Sequence, residues 1–231
     1  MTINLGDTVP DFNLTALDGS QTGINSFRGK PLIIFMWASW WACREQLPVW
    51  QQFYENELKN GEFAEILSIA MDAQGFSVVT PYLESANVTF KTVIDEENLL
   101  GEMLRFNAIP NGLLIDSEGI VNYQNFGSFD IKNPDIFSLI QGWLFSGTNL
   151  NLDGSILPKL DPVQQANSLF REGLSLIQEG NFEEALKKWR EGSKLDSGNQ
   201  IIKKQIWAVE NPSKFYSGAV DYDWQSKQDW I

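Results

Sequence analysis

A short apolar run, Pro31-Leu32-Ile33-Ile34-Phe35-Met36, leads straight into Trp37-Ala38-Ser39-Trp40-Trp41-Ala42-Cys43-Arg44-Glu45-Gln46-Leu47-Pro48. No other stretch restricts the fold as tightly. The run reads as a strand, and the chain then takes on helical character from about Ala42 to Leu58. Leu47, Val49, Trp50, Phe53, Tyr54 and Leu58 would face inward, and Pro48, inside the helix, should kink it. Cys43, the single cysteine of the chain, therefore falls at a strand-to-helix junction. Unpaired backbone N–H groups and the helix dipole at such a junction favour a thiolate.

The flanking segments alternate between the two periodicities. Residues 6–19 read as a loop, a short strand and a turn at Asp18-Gly19, and residues 26–31 as a second turn. Ala64 to Met71 is almost wholly apolar, as expected for a strand covered on both faces of a sheet. Helices are predicted over Val78–Ser85, Asn98–Arg105 and Asn133–Phe145. Thr92–Ile94 and Leu113–Ile115 are strands, and Asp116-Ser117-Glu118-Gly119 turns the last of these back into Ile120–Tyr123. Strands alternating with helices and closing in a hairpin predict an α/β sandwich with a mixed sheet, over residues 1–148.

Between Thr148 and Pro162 the chain is rich in Asn, Asp, Gly and Pro and has no helical period, so 149–161 is expected to be a linker. Beyond it, Ala166, Leu169, Gly173, Leu176, Gly180, Phe182, Ala185, Trp189 and Leu195 match tetratricopeptide spacing. Small residues at Gly173 and Ala185 would let two antiparallel helices approach. One such repeat cannot bury its own face, so a helix from about Gln200 to Val209 should cap it. Asn211-Pro212 would stop that helix. The aromatic stretch from Tyr216 to Ile231 is expected to fold back on a neighbour, completing an all-α domain over 162–231.

Several pieces of residues 4–145 resemble the redoxin branch of the thioredoxin superfamily. They are Gly6-Asp7-Thr8-Val9-Pro10-Asp11-Phe12-Asn13-Leu14, Phe27 to Pro31, the Trp37 to Pro48 segment, and Ile109-Pro110-Asn111-Gly112-Leu113-Leu114-Ile115-Asp116. That resemblance implies a thioredoxin-like sandwich and a thiol/disulfide oxidoreductase lineage acting on disulfides or peroxides. It also implies a cis bond before Pro110, with Ile109 and Pro110 facing Cys43 and pairing with substrate. The family motif carries two cysteines separated by two residues, whereas here Trp41 stands in the attacking position and only Ala42 separates it from Cys43. Redoxin-like relatives with selenocysteine or cysteine, one residue, then Cys-Arg look very similar, and selenocysteine is encoded by UGA, which can be rendered as Trp. On this reading position 41 is the nucleophile and Cys43 the resolving thiol, with Arg44 adding nearby positive charge. Trp40 and Trp41 would supply apolar contact for a substrate.

Other departures narrow the chemistry. The buried carboxylate that thioredoxins use as a proton relay is replaced by Phe35. The hydroxyl residue three before a peroxidatic cysteine is replaced by Trp40, and the arginine after the proline by Asn111 and Gly112. A lone thiol can form a mixed disulfide or a sulfenic acid but cannot complete dithiol exchange. The contrasting reading is an inactive binding module, with Cys43 a small buried hydrophobe and peptides added as a strand beside Pro110. In either reading the tetratricopeptide-like unit is a surface for a protein partner.

Composition removes further classes. The formal charge is −13, almost all of it on residues 1–161, which disfavours nucleic acid and anionic membrane surfaces. The absence of histidine and the single cysteine remove the usual zinc sites and the usual neutral-pH base, and no cofactor is implied. No stretch approaches the length of a membrane span. The opening Met-Thr-Ile-Asn-Leu-Gly-Asp lacks the features of a signal peptide, so a cytoplasmic location is expected.

Overall fold

The computed structural model of the protein describes residues 3–146, 161–217 and 221–228. The expected linker, apart from Asp161, lies outside the described residues, as do positions 218–220 and 229–231 of the aromatic tail.

Seven strands form one mixed sheet: β1 (Leu14–Ala16), β2 (Gln21–Thr22), β3 (Leu32–Trp37), β4 (Glu65–Ala70), β5 (Lys91–Ile94), β6 (Asn111–Ile115) and β7 (Val121–Phe126). Their order is β2-β1-β5-β4-β3-β6-β7. β3 runs parallel to β4, which runs parallel to β5, while β6 and β7 return antiparallel beside β3. All six residues of β3 are buried. That agrees with their unbroken apolar character, because a strand with layers on both faces has no solvent side.

Helices α1 (Leu47–Asn56), α2 (Phe76–Ser85), α3 (Leu99–Leu104) and α4 (Pro134–Ser146) complete this part. Trp50 of α1 sits 5.1 Å from the Phe35 ring and stacks at 5.7 Å on Phe129, and Phe53 meets Phe137 of α4 edge-on. The helix expected to run unbroken from Ala42 and to kink at Pro48 is instead two elements. Ala42–Gln46 is a 3-10 turn, and α1 starts only at Leu47 with Pro48 in its first turn. A proline there sacrifices no helical hydrogen bond, so the helix needs no kink.

The C-terminal part is all helical: α5 (Asp161–Gln178), α6 (Phe182–Leu195), α7 (Gln200–Glu210), α8 (Pro212–Tyr216) and α9 (Tyr222–Gln225). α5 and α6 pack antiparallel. Phe170 lies 5.0 Å from Trp189, whose indole N–H donates to the Phe170 carbonyl at 2.8 Å. A Cβ on Gly173 would stand 2.2 Å from the Trp189 Nε1 and one on Gly192 would stand 2.9 Å from the Ala166 carbonyl, so glycine permits both approaches. The Asn199 side chain caps α7 by accepting from the Ile201 and Ile202 N–H groups.

α7 is buried continuously from Ile201 to Ala208, its two lysines and Gln205 included. A helix is buried all round only when it lies between two bodies. Here they are the α5–α6 pair and the sheet-bearing part. Asn98 Nδ2 donates to Asn167 at 2.8 Å and Arg171 pairs with Glu102 at 2.6 Å. The Gln200 N–H donates to the Asn107 carbonyl at 2.7 Å, and Gln205 Nε2 to the Met71 carbonyl at 2.9 Å. No helix among the described residues is long and apolar enough to cross a membrane.

Candidate active site

β3 delivers the chain to the C-terminal edge of the sheet, where a turn closed by the Trp41 N–H to the Ala38 carbonyl opens the 3-10 segment. Trp41 is the extended residue heading that segment, at φ −131° and ψ 161°. The Cys43 Sγ turns back to the end of β3 and accepts from the Ala38 N–H at 3.4 Å. β6 pairs with β3 in a register that ends at Met36 opposite Asn111. Pro110 is therefore next in line across from Trp37, one residue from the amide that holds the thiol. The Ile109–Pro110 bond is cis. Asn111 ties the loop before it to the end of β7, donating to the Ala108 carbonyl and accepting from the Gly127 N–H. At Gly112 any side chain would begin 2.1 Å from the Phe129 ring.

The thiol is not poised as the junction alone suggests. Cys43 is 2% exposed, and burial pushes its ionisation up to about 12, with the Asp72 charge acting in the same direction. Backbone donors at Ala38, Cys43 and Arg44 oppose this and lose. Nor does the Arg44 guanidinium turn to the sulfur. Its Nη1 donates to the Ser39 carbonyl at 2.6 Å, the Tyr82 hydroxyl at 2.6 Å and the Phe215 carbonyl at 2.8 Å. The same group stacks 4.4 Å over the Tyr82 ring. Arg44 thus ties α2 and α8 to the motif. Trp40 is 1% exposed, part of the core and not of a contact surface. Trp41 is half-buried.

Two groups of site residues escape sequence reasoning. The first is Asp72, two residues past the end of β4 and fully buried, which accepts from the Ser39 N–H at 3.0 Å and from its hydroxyl. Burial raises its carboxyl to about 7, against the Ser39 hydrogen bonds and the Arg44 charge. An acidic residue closing an otherwise apolar parallel strand, at the edge where α/β sheets place ligands, was the available signal. The second group comes from the C-terminal helices. The Lys204 Nζ lies 4.3 Å over the Trp41 ring and 4.6 Å over Trp207, and it donates to Gln225 Oε1 at 2.6 Å. Tyr222 meets the Trp41 ring edge-on at 6.0 Å, and Trp224 closes on Trp207 and Phe215. Among its described residues the aromatic tail folds back on Trp41, Trp207 and Phe215. Among the described residues no histidine, cysteine or carboxylate group clusters as a metal site would require.

Known proteins match this arrangement over its sheet-bearing part. Residues 5–124 match the AhpC/TSA family. The thiol-disulfide oxidoreductase ResA of Geobacillus kaustophilus (strain HTA426) is 30% identical over 120 residues, 52% of this chain and 67% of that protein. The thioredoxin-like protein YneN of Bacillus subtilis (strain 168) is 22% identical over 141 residues, 58% of this chain and 78% of its own. A thiol:disulfide interchange protein from Bacteroides sp. superposes with a TM-score of 0.53 at 18% identity, covering 64% of this chain and 96% of that one. The thioredoxin domain of a thiol-disulfide oxidoreductase from Bacteroides vulgatus gives 0.51 at 19%, covering 62% and 99%. The last two likenesses show the thioredoxin-like fold and nothing finer. Helices α5 to α9 lie outside the family match. With the motif, the sheet order and the family match in agreement, the chain belongs to the AhpC/TSA family, on its thioredoxin-like, thiol-disulfide oxidoreductase side.

Proposed function

We propose that the protein is a thiol/disulfide oxidoreductase by descent in which position 41 is the attacking position, Cys43 is the remaining thiol, and Trp41 silences dithiol exchange. One observation carries this reading. The side chain at 41 heads the 3-10 segment, half-exposed, while the only thiol is buried on the Ala38 amide, one residue from Trp37, which the sheet register sets across from Pro110. That is an arrangement for an outer group that attacks and an inner group that resolves. In a complete cycle an outer thiolate attacks a substrate disulfide and expels one sulfur as thiolate. The inner thiol, after losing its proton, then attacks the mixed disulfide, releases the second substrate thiolate and leaves the protein oxidised by two electrons. Cys43 alone could form a mixed disulfide but has no second thiol to resolve it. Disulfides fit as substrates better than peroxides, because Asn111 is committed to its loop and no side chain fits at Gly112.

A second reading, an inactive binding protein, is favoured by the burial of Cys43 and by the helices packed over Trp41. In that reading the α5–α6 pair, with its tetratricopeptide-like spacing, carries the partner surface. The codon of position 41 separates the two cheaply. UGA with selenium incorporation supports a selenol enzyme, and UGG supports the inactive form. Protein chemistry separates them as well. With insulin and with a small disulfide as substrates, Trp41→Cys should reduce at least one at 10-fold or more the rate of the unaltered chain, and Cys43→Ser should abolish the gain. Equal turnover by the unaltered chain and Trp41→Cys would remove position 41 from the site.

A further inference from the structure

The C-terminal helices lie outside the family match, yet they put a cation on the attacking position. We infer that Lys204 is the activating residue of this redox site: α7 delivers its ammonium to position 41, where it holds a sulfur side chain as the thiolate. The site is then built jointly by the sheet-bearing part and the helices that come after it. This rests on position 41 being the attacking position.

The geometry is specific. α7 is locked in register by the Asn199 cap, by Gln200 on Asn107 and by Gln205 on Met71. That register points the Lys204 side chain into a cage of Trp41, Trp207 and Gln225. Lys204 is buried, and an ammonium costs several kcal/mol to desolvate unless its surroundings compensate. Two indole faces and an amide oxygen are among the groups that compensate it. A thiolate would supply more, since an opposite charge within about 4–6 Å favours the charged form.

Other charges do not take this role among the described residues. On the 3-10 segment, Arg44 is directed at Ser39, Tyr82 and Phe215. Glu45 is half-exposed and 4.0 Å from Lys132. Cys43 is a buried thiol held protonated. Tyr222 of α9 is neutral, and partial desolvation raises its ionisation further. Lys204, from α7, is the cation turned to position 41.

The test isolates ionisation from turnover. In the full chain with Trp41→Cys and Cys43→Ser, the introduced thiol is the only one present. Its alkylation by iodoacetamide is followed by mass spectrometry from pH 5 to 10. The expected midpoint lies below the ordinary ~8.5 of a free thiol. Adding Lys204→Gln should raise that midpoint and slow alkylation at pH 6.5 by about tenfold, as a lost ion pair requires. Lys204→Arg should keep the parent profile, and Lys187→Gln, an exposed charge on α6, should change nothing. Lys204→Met keeps the aliphatic stem between the two indoles and removes only the charge, so it should shift the profile in the same direction as Lys204→Gln. If Lys204→Gln undocks the helices, as near-ultraviolet circular dichroism would show, Lys204→Met decides alone.

Superimposable profiles for the parent and a folded Lys204→Met, or for the parent and a folded Lys204→Gln, overturn the proposal. A lysine-dependent midpoint in a Trp41→Cys protein that reduces no disulfide would instead sink only the functional reading.

Discussion

Replacing Asp72 by Asn should change how stability depends on pH. The carboxyl is fully buried and its ionisation is raised from 3.8 to about 7. Between those values the folded chain holds a proton that the unfolded chain releases. Stability from this group is therefore fully present below about pH 4 and is lost as pH rises through 7. Each unit of displacement corresponds to 1.36 kcal/mol, so the full swing approaches about 4 kcal/mol, and relaxation around the buried charge would reduce it to roughly 2–4. Asn cannot titrate, yet its amide oxygen still accepts from the Ser39 N–H. Urea unfolding at pH 5, 6, 7 and 8 should show the Asp72→Asn chain gaining on the parent by about 1–3 kcal/mol across the series, the rest of the swing lying below pH 5. Asp95, also buried and raised to about 6, tilts both curves alike and cancels in the difference. Parallel curves for the two proteins would refute the reasoning, because they would mean that Asp72 is ionised in the folded state without penalty.

Two further outcomes rest on packing. Gly173→Ala places a methyl 2.2 Å from the Trp189 Nε1 and should cost about 1–3 kcal/mol by overpacking in thermal or urea melts; an unchanged midpoint would mean that the α5–α6 contact is looser than described. Cys43 should resist a thiol-specific disulfide reagent at pH 8 while the chain is folded, because it is buried and its proton is held. Phe215→Ala, which empties a fully buried position in α8 at a cost of about 3–5 kcal/mol, should speed that labelling at least tenfold, and unchanged labelling would show that α8 does not guard the thiol.

The fold was legible because its cues are local. The apolar runs of β3 and β4, the Asp116 to Gly119 turn and the stop at Asn211-Pro212 each depend on a few adjacent residues. What stayed hidden depends on contacts between residues far apart in the chain. No local cue marks Lys203, Lys204 and Gln205 as interior residues, and they are buried because α7 lies between two bodies. Gln205 meets Met71 across 134 positions, a distance no periodicity spans. The thiol shows the same effect in energetic form. Junction physics favours a thiolate at Cys43, but α8 and the Arg44 cluster dry the site, and desolvation outweighs a short 3-10 segment. Asp72 sits just past a strand recognised correctly, and its role emerges only when β4 is set beside β3.

The seating of α7 to α9 over Trp41 has a consequence for synthesis. The ribosome releases the sheet-bearing part first, and Lys204 is added roughly 60 residues after α4, several seconds later at ~5–20 residues per second. Through that interval the tip of the Trp37 to Pro48 segment faces the cell without Lys204, Tyr222 or Trp224. A nascent chain stalled or truncated near residue 200 would therefore present a bare indole beside its only thiol, a feature that chaperones and proteases could read as the mark of an unfinished protein.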